Sequence, residues 1–376
     1  MTKKSIFAAL LLTVLLYFMQ GIVRPNPDYN WDAISYMNLV LKYDGMENDS
    51  VRHAETYRLL KEQVPQEHWK KLAETDHWYR LQNYQSSKVG TETLPFYSIK
   101  PLYILNCWVF YKLGFNLFDS TWIPNFFAYF FIALAFFVYI DSKKNYLIAF
   151  FATLFIMLTP FFLELSILST PDALGTLIFM VITILYLEKR SIWLILAASV
   201  AAILIRPDHL VICGLIFLVK ALEEEEVKAK LKTLLIPSVA LLLVHFLNYK
   251  LNGNPGWKVL FMHSFQGNIH YPISGIENRV WEWSEYWKTM KSHIHSISFL
   301  MWILLIPTLL LLPKKIRLKD LFQRRDFLLL LAIVVATLIK FVLFPYTIDR
   351  YFAPFYAGAI LMLIYGVAEK QKQNSN

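Results

Sequence analysis

Long apolar runs alternate with short polar breaks along most of this chain, and the pattern predicts helices rather than strands. A helix needs about 20 apolar residues to cross a hydrocarbon core of ~30 Å. Runs near that length predict crossings over 5–23, 121–140, 146–163, 173–187, 192–205, 209–222, 233–251, 297–312, 327–344 and 352–367. The first run follows Lys3 and Lys4 and continues through Met19, Gly21 and Val23 with no small-residue cleavage site after it, so it reads as an uncleaved span. Another apolar stretch, 101–113, is only about half the required length and reads as a short or re-entrant helix. The fold class expected is an all-α polytopic membrane protein with roughly ten transmembrane helices.

Residues 1–376 read as a single integral membrane domain interrupted by two long loops, 24–99 and 252–296. Both loops are expected to be extracytoplasmic and to carry surface helices. In the first, the amphipathic stretches 51–60 and 67–81 predict helices lying along the membrane, with Trp69, Trp78 and Tyr79 at headgroup level. The second is rich in Trp, His and Tyr. Structureless loops beyond about 15 residues are functional or disordered, and this one is too aromatic for disorder.

Composition agrees: 56% of residues are hydrophobic and 17% charged, against about 25% charged in a soluble domain. The net charge of +9 points to membrane topology and not to nucleic acid. Lys143-Lys144, Lys189-Arg190, Lys314 and Lys319 with Arg324-Arg325, and Lys370 form short basic loops, which the positive-inside bias keeps in the cytoplasm. Both termini and the Glu223 to Glu226 run then fall on that side. Asp28, Asp32, Asp172, Arg206, Asp208, Asp349 and Arg350 fall on the other. Cys107 and Cys213 both lie in apolar stretches, which removes a disulfide framework. His263, His270, His293 and His295 lack the spacing of a helical zinc pair, so no metal ligands are assigned. The glycine-rich nucleotide motifs and the GxSxG elbow are absent, leaving soluble nucleotide chemistry unsupported.

The polar residues that remain form a constellation. Asp32 and Tyr36 share a helical face just past the first span. A carboxylate there suits a general base acting on an acceptor hydroxyl, or a helix N-cap. Asp28 lies one turn earlier, placed to pair with Asp32, either to hold a divalent cation or to raise a carboxyl pKa. Lys100-Pro101 opens the short apolar helix, with Tyr103 one turn in; its ammonium suits a lipid phosphate or a snorkelling role. Asp172 opens a span, where the helix dipole favours a carboxylate. Arg206-Pro207-Asp208 interrupts a long apolar stretch, and charges at such depth face cavities. Arg206 and Arg350 suit a phosphate clamp. The plainer reading pairs each Arg with the Asp of its own loop.

The order of these motifs resembles the integral-membrane glycosyltransferases of the GT-C fold, which include protein O-mannosyltransferases and aminoarabinose transferases. The resemblance rests on Asp32-x-x-x-Tyr36 after the first span, Lys100-Pro101-Leu102-Tyr103, Pro171-Asp172, Arg206-Pro207-Asp208 and Arg350-Tyr351 with Pro354. It implies that Asp32 is the catalytic carboxylate and that Lys100, with Arg206 or Arg350, holds the donor phosphate. Asp28, Tyr36, Tyr103, Asp172 and Asp208 would line the cavity. It implies transfer of a sugar from a polyprenyl-phosphate donor to a lipid, glycan or protein acceptor, at the extracytoplasmic face of the plasma (inner) membrane. Membrane lipids are the other expected partners, and a divalent metal is left open. The chain departs from the family in reading Asp32-Ala33 where Asp-Glu is common, and its insert from His53 to Tyr84 has no counterpart there. Two rivals stand beside this reading. One is a lipid or solute transporter or flippase, disfavoured by a single broken segment where transporters show paired ones. The other is a polysaccharide polymerase or ligase, which would gather outer arginines without needing Asp32 so close to the first span.

Overall fold

The computed structural model describes residues 2–24, 27–75, 77–265, 273–276, 279–294, 324–346 and 348–375. Among these residues the regular structure is helical, with no strand. Four helices are long and apolar enough to cross a membrane: Lys3–Val23, Asp119–Lys143, Val227–Leu251 and Arg325–Leu343. Five shorter apolar helices accompany them: Tyr146–Met157, Asp172–Leu187, Ile192–Ile205, His209–Leu222 and Ala353–Glu369. Helix starts are marked by polar caps. Asn145 accepts from the amides of Leu147 and Ile148, and Ser191 from that of Trp193. The crossing expected over 146–163 is divided, because Pro160 disfavours helix at Thr159. Helix ends at Met157 and restarts as Pro160–Leu165.

The bundle is built around Asp172–Leu187, which packs against Asp119–Lys143, Ile192–Ile205 and the C-terminal helix. Its Phe179, Met180, Ile182 and Tyr186 are fully buried. Gly358 allows the last helix to approach closely, since a Cβ there would lie 2.7 Å from the Phe179 ring.

The two kinds of loop stand at opposite ends of this bundle. At one end Lys143 pairs with Glu188 (2.6 Å), Lys144 bonds Gln371, and Arg325 and Tyr186 share Glu223. At the other, the Asp28 amide donates to the Ile167 carbonyl (3.0 Å) and the Ser169 amide to Asn30 Oδ1 (3.2 Å). There Asn248 also donates to the Ile99 carbonyl (2.7 Å). The crossing expected over 297–312, together with Lys314, Lys319, His270 and His295, lies outside the described residues, as do the side chains of Asp349 and Lys370.

The short apolar helix is Pro101–Lys112, whose 12 residues span about 18 Å. Tyr103 near its start donates to the Thr121 carbonyl (2.5 Å), and Trp108 and Lys112 near its end both reach Asp44. It packs against the first turns of Asp119–Lys143, and its length falls short of a ~30 Å hydrocarbon core.

The first long loop folds on itself. Helices Asp32–Tyr43, Asp49–Gln63, Gln66–Leu72, Trp78–Gln85, Ser87–Glu92 and Pro95–Ser98 follow one another. The first few close, with Pro101–Lys112, over a core that includes Met37, Val40, Leu60 and Ile104. Arg52, 1% exposed, ties their turns together through Asn38 (2.7 Å), the Met46 carbonyl (2.8 Å) and Asp49. The expected surface helices are corrected here. Trp69 and Tyr79 are 2% and 4% exposed, while Trp78 alone of the three is open, at 44%. The amphipathic pattern serves the loop's own core: Trp69 packs edge-on against Tyr57 and Tyr84. The stretch 67–81 is also two helices, not one.

Candidate active site

A cavity of about 1090 Å³ opens at the end of the bundle that carries the isolated carboxylates and arginines. Asp32, Tyr36, Tyr97 and Lys100 reach it from the first loop, Asp172, Arg206, Asp208 and Lys340 from the bundle, and Arg350 and Tyr351 from the turn before the last helix.

Asp32 is the first residue of its helix, and its carboxylate is used across the cavity. It accepts from the Tyr97 hydroxyl (2.9 Å), the Asn30 amide (3.4 Å) and Arg350 (3.5 Å). One turn on, Tyr36 accepts from Lys100 Nζ (3.0 Å). The ammonium also stands over the Tyr97 and Tyr36 rings, 4.9 and 5.6 Å from their centres. Lys100 has no carboxylate within ion-pair distance among the described residues; its contacts are the tyrosines. Burial pushes its pKa down to about 8, opposed by the charge of Asp32.

Arg206 is held by two carboxylates. It forms a two-toothed pair with Asp208 (3.0 Å on each arm) and an ion pair with Asp172, whose other oxygen takes the Thr170 hydroxyl (2.6 Å). Arg206 lines the cavity with its guanidinium shared between two carboxylates, which is the plainer pairing the sequence allowed, extended to a second helix. Arg350 is held loosely, 3.5 Å from Asp32 and 3.7 Å from Asp172. Lys340, which the sequence reading passed over, pairs with Asp208 at 2.8 Å. A signal for it existed: a lone lysine near the end of an otherwise apolar span marks a functional site by default.

Two expected wall residues stand behind the wall. Tyr103 is fully buried and meets the Tyr36 ring edge-on at 4.7 Å, holding it in place. Asp28 does not line the cavity. Burial raises its carboxyl pKa, opposed by Arg350 and Arg24 and reinforced by the charge of Asp32. Among the described residues no three His, Cys, Asp or Glu side chains cluster as metal ligands. His77, His245, His263 and His293 line the cavity singly. Burial takes the His263 pKa down to about 4, and its Nε2 lies 3.3 Å from the Tyr79 hydroxyl.

The described lining carries five cations, Arg80, Lys100, Arg206, Lys340 and Arg350, against the carboxylates of Asp32, Asp172 and Asp208. The surplus is positive, and the two least committed cations flank Asp32. Leu210, Val211, Leu260, Leu343 and Phe344 give the same cavity an apolar side. The arrangement suits an amphiphilic anion next to a carboxylate able to take a proton.

Gly175 is where the charged frame meets the central helix. A Cβ there would lie 2.9 Å from Arg206 Cδ and 3.1 Å from His209 Cε1. Arg206 cannot swing aside cheaply, because both ends of its guanidinium are held. Gly175→Ala is therefore expected to cost about 1–3 kcal/mol, the range for overpacking. Thermal unfolding in detergent reads this directly, and an unchanged melting temperature would show that Arg206 is free to move.

Among the described residues, fold and cavity define a helical protein with four helices long and apolar enough to cross a membrane and a cation-rich, carboxylate-bearing cavity at one end of the bundle. No protein-family model, curated protein or solved structure matches the chain.

Proposed function

We propose that the protein is an integral-membrane glycosyltransferase of the GT-C kind, which moves a sugar from a polyprenyl-phosphate donor to an acceptor on the extracytoplasmic side. One observation carries the reading: Asp32 and two lightly committed cations, Lys100 and Arg350, meet in one cavity at the end of an apolar bundle. Such a donor needs an anion site, an apolar side and a base, and the cavity offers all three.

In this reaction Asp32 takes the proton of the acceptor hydroxyl. The acceptor oxygen bonds to the anomeric carbon as the bond from that carbon to the phosphate oxygen breaks. Attack from the opposite face inverts the carbon. Polyprenyl phosphate leaves, its charge met by Lys100 and Arg350, and no nucleotide is consumed. Tyr97 keeps Asp32 turned into the cavity, and Arg206 with Asp172 and Asp208 keeps the surrounding turns in register. The proposal includes about ten crossings with both termini cytoplasmic.

The test is an assay of the purified protein against a panel of polyprenyl-phosphate sugars, scoring release of polyprenyl phosphate. Release that requires acceptor supports the proposal. No release from any donor, with lipid or solute movement in proteoliposomes, would replace it with transport.

Orientation is tested separately. With the basic end in the cytoplasm, cysteines placed at Lys143 or Glu224 stay unlabelled by an impermeant reagent in intact cells, while one at exposed Lys70 is labelled. Labelling at 143 would invert the bundle and put the cavity on the wrong side.

A further inference from the structure

Residues 283–294 form a helix in the second long loop, and its sides meet different surroundings. Thr289, Ser292 and His293 line the cavity. Tyr286 is 5% exposed and donates to the Val342 carbonyl (2.9 Å), which fixes the helix to the last turn of Arg325–Leu343. Trp257, on the neighbouring helix Trp257–Phe265, bonds the Leu343 carbonyl in the same way. At 3.6 residues per turn, Trp283 and Trp287 share the side turned away from the cavity. They are 63% and 56% exposed. Lys288 and Lys291 occupy the next side, and both are exposed.

We infer that this helix lies in the headgroup layer of the bilayer, with Trp283 and Trp287 seated at the interface and Lys288 and Lys291 directed to lipid phosphates. Continuity fixes the occupant. The helix is bonded to the end of an apolar helix whose outward residues Leu338, Ile339 and Val342 are themselves exposed, and lipid is what covers such a surface. Indoles concentrate at this depth because the ring is apolar and its N–H is polar. Lysines beside them extend their ammonium groups to the phosphates while their stems stay in the apolar layer. The opposite side of the same helix is cavity wall, so the height of the cavity over the bilayer is set by two tryptophans. The surface stands whether or not Asp32 is a base.

Spin labels on the full chain in lipid nanodiscs test it. The native cysteines, Cys107 and Cys213, are buried and do not compete for label. Labels at Trp283→Cys and Trp287→Cys are expected to be relaxed more by oxygen, which partitions into lipid, than by an aqueous nickel chelate. A label at exposed Lys70→Cys should show the reverse. Wild-type tryptophan fluorescence should also be quenched by brominated lipid, less so in a Trp283→Ser/Trp287→Ser variant; this second readout guards against a label that disturbs folding. Aqueous accessibility at 283 and 287 equal to that at 70 would overturn the inference. So would protection from both reagents that depends on protein concentration, which would assign the face to a second copy of the chain.

Discussion

Asp32→Asn is expected to abolish transfer while leaving expression and thermal stability near wild type. Asn keeps the size of Asp and still accepts from the Tyr97 hydroxyl. What it loses, at the other oxygen, is the ion pair to Arg350 and the hydrogen bond from Asn30, both long at 3.5 and 3.4 Å and made to a partly exposed carboxylate. Pairs of that kind contribute at most about 1 kcal/mol. General base catalysis is worth roughly 10²–10⁴-fold, and an amide cannot take the proton. A merely structural Asp32 would therefore survive the change, and a catalytic one would not. Asp28→Asn is the companion. If it alone removes activity, the base lies one turn earlier than assigned. Wild-type rates in both variants would sink the mechanism and leave transport as the better reading.

Loss of Lys100 or Arg350 is expected to weaken binding of a polyprenyl-phosphate analogue. A charge-assisted hydrogen bond is worth about 1.5–3 kcal/mol, so each Ala variant should bind roughly 10- to 100-fold more weakly. The two cations differ in how they respond to pH. Burial brings the Lys100 pKa down to about 8. The protonated form, which attracts the phosphate, dominates below that value and is lost above it. Affinity should thus fall as pH rises through about 8 and level off only at the higher pKa of the phosphate-bound lysine. Lys100→Arg keeps its charge throughout and should flatten the profile. Analogue titrations at several pH values measure this. Unchanged affinity in both Ala variants would remove the clamp, and a pH slope that persists in Lys100→Arg would assign the titration to another group.

Much of the site was legible because membrane charges are conspicuous. Asp32, Lys100, Asp172, Arg206, Asp208 and Arg350 stand out against apolar neighbours, and they do converge on one cavity. Their pairing was less legible. Arg206 has its local partner in Asp208, yet Asp172, from another helix, is what completes its neutralisation. No spacing rule reaches across helices, so the partner on the other helix was not legible. Lys340 was overlooked because a single cation inside a hydropathy window barely alters its mean. In the first loop, periodicity located an apolar stripe but not what covers it. Trp69 and Tyr79 face protein, Trp78 beside them stays open, and Trp283 and Trp287 in the second loop are more exposed still. Pro160 is a visible helix breaker, and it divides the third expected crossing, 146–163.

Lys340, Asp208, Arg206, Asp172, Arg350 and Asp32 form a row of alternating sign, each within ion-pair distance of the next. Such a row links the arrival of one substrate to readiness for the other without any helix having to move. Arg350 divides itself between Asp32 and Asp172. A phosphate settling on Arg350 draws it from both, and Asp32 is left with Tyr97 and a freer lone pair. In the proposed reaction the base would become competent only once a leaving group is in place. Donor before acceptor is the binding order this row favours, and with it comes protection against a stray hydroxyl being activated with nothing to attack.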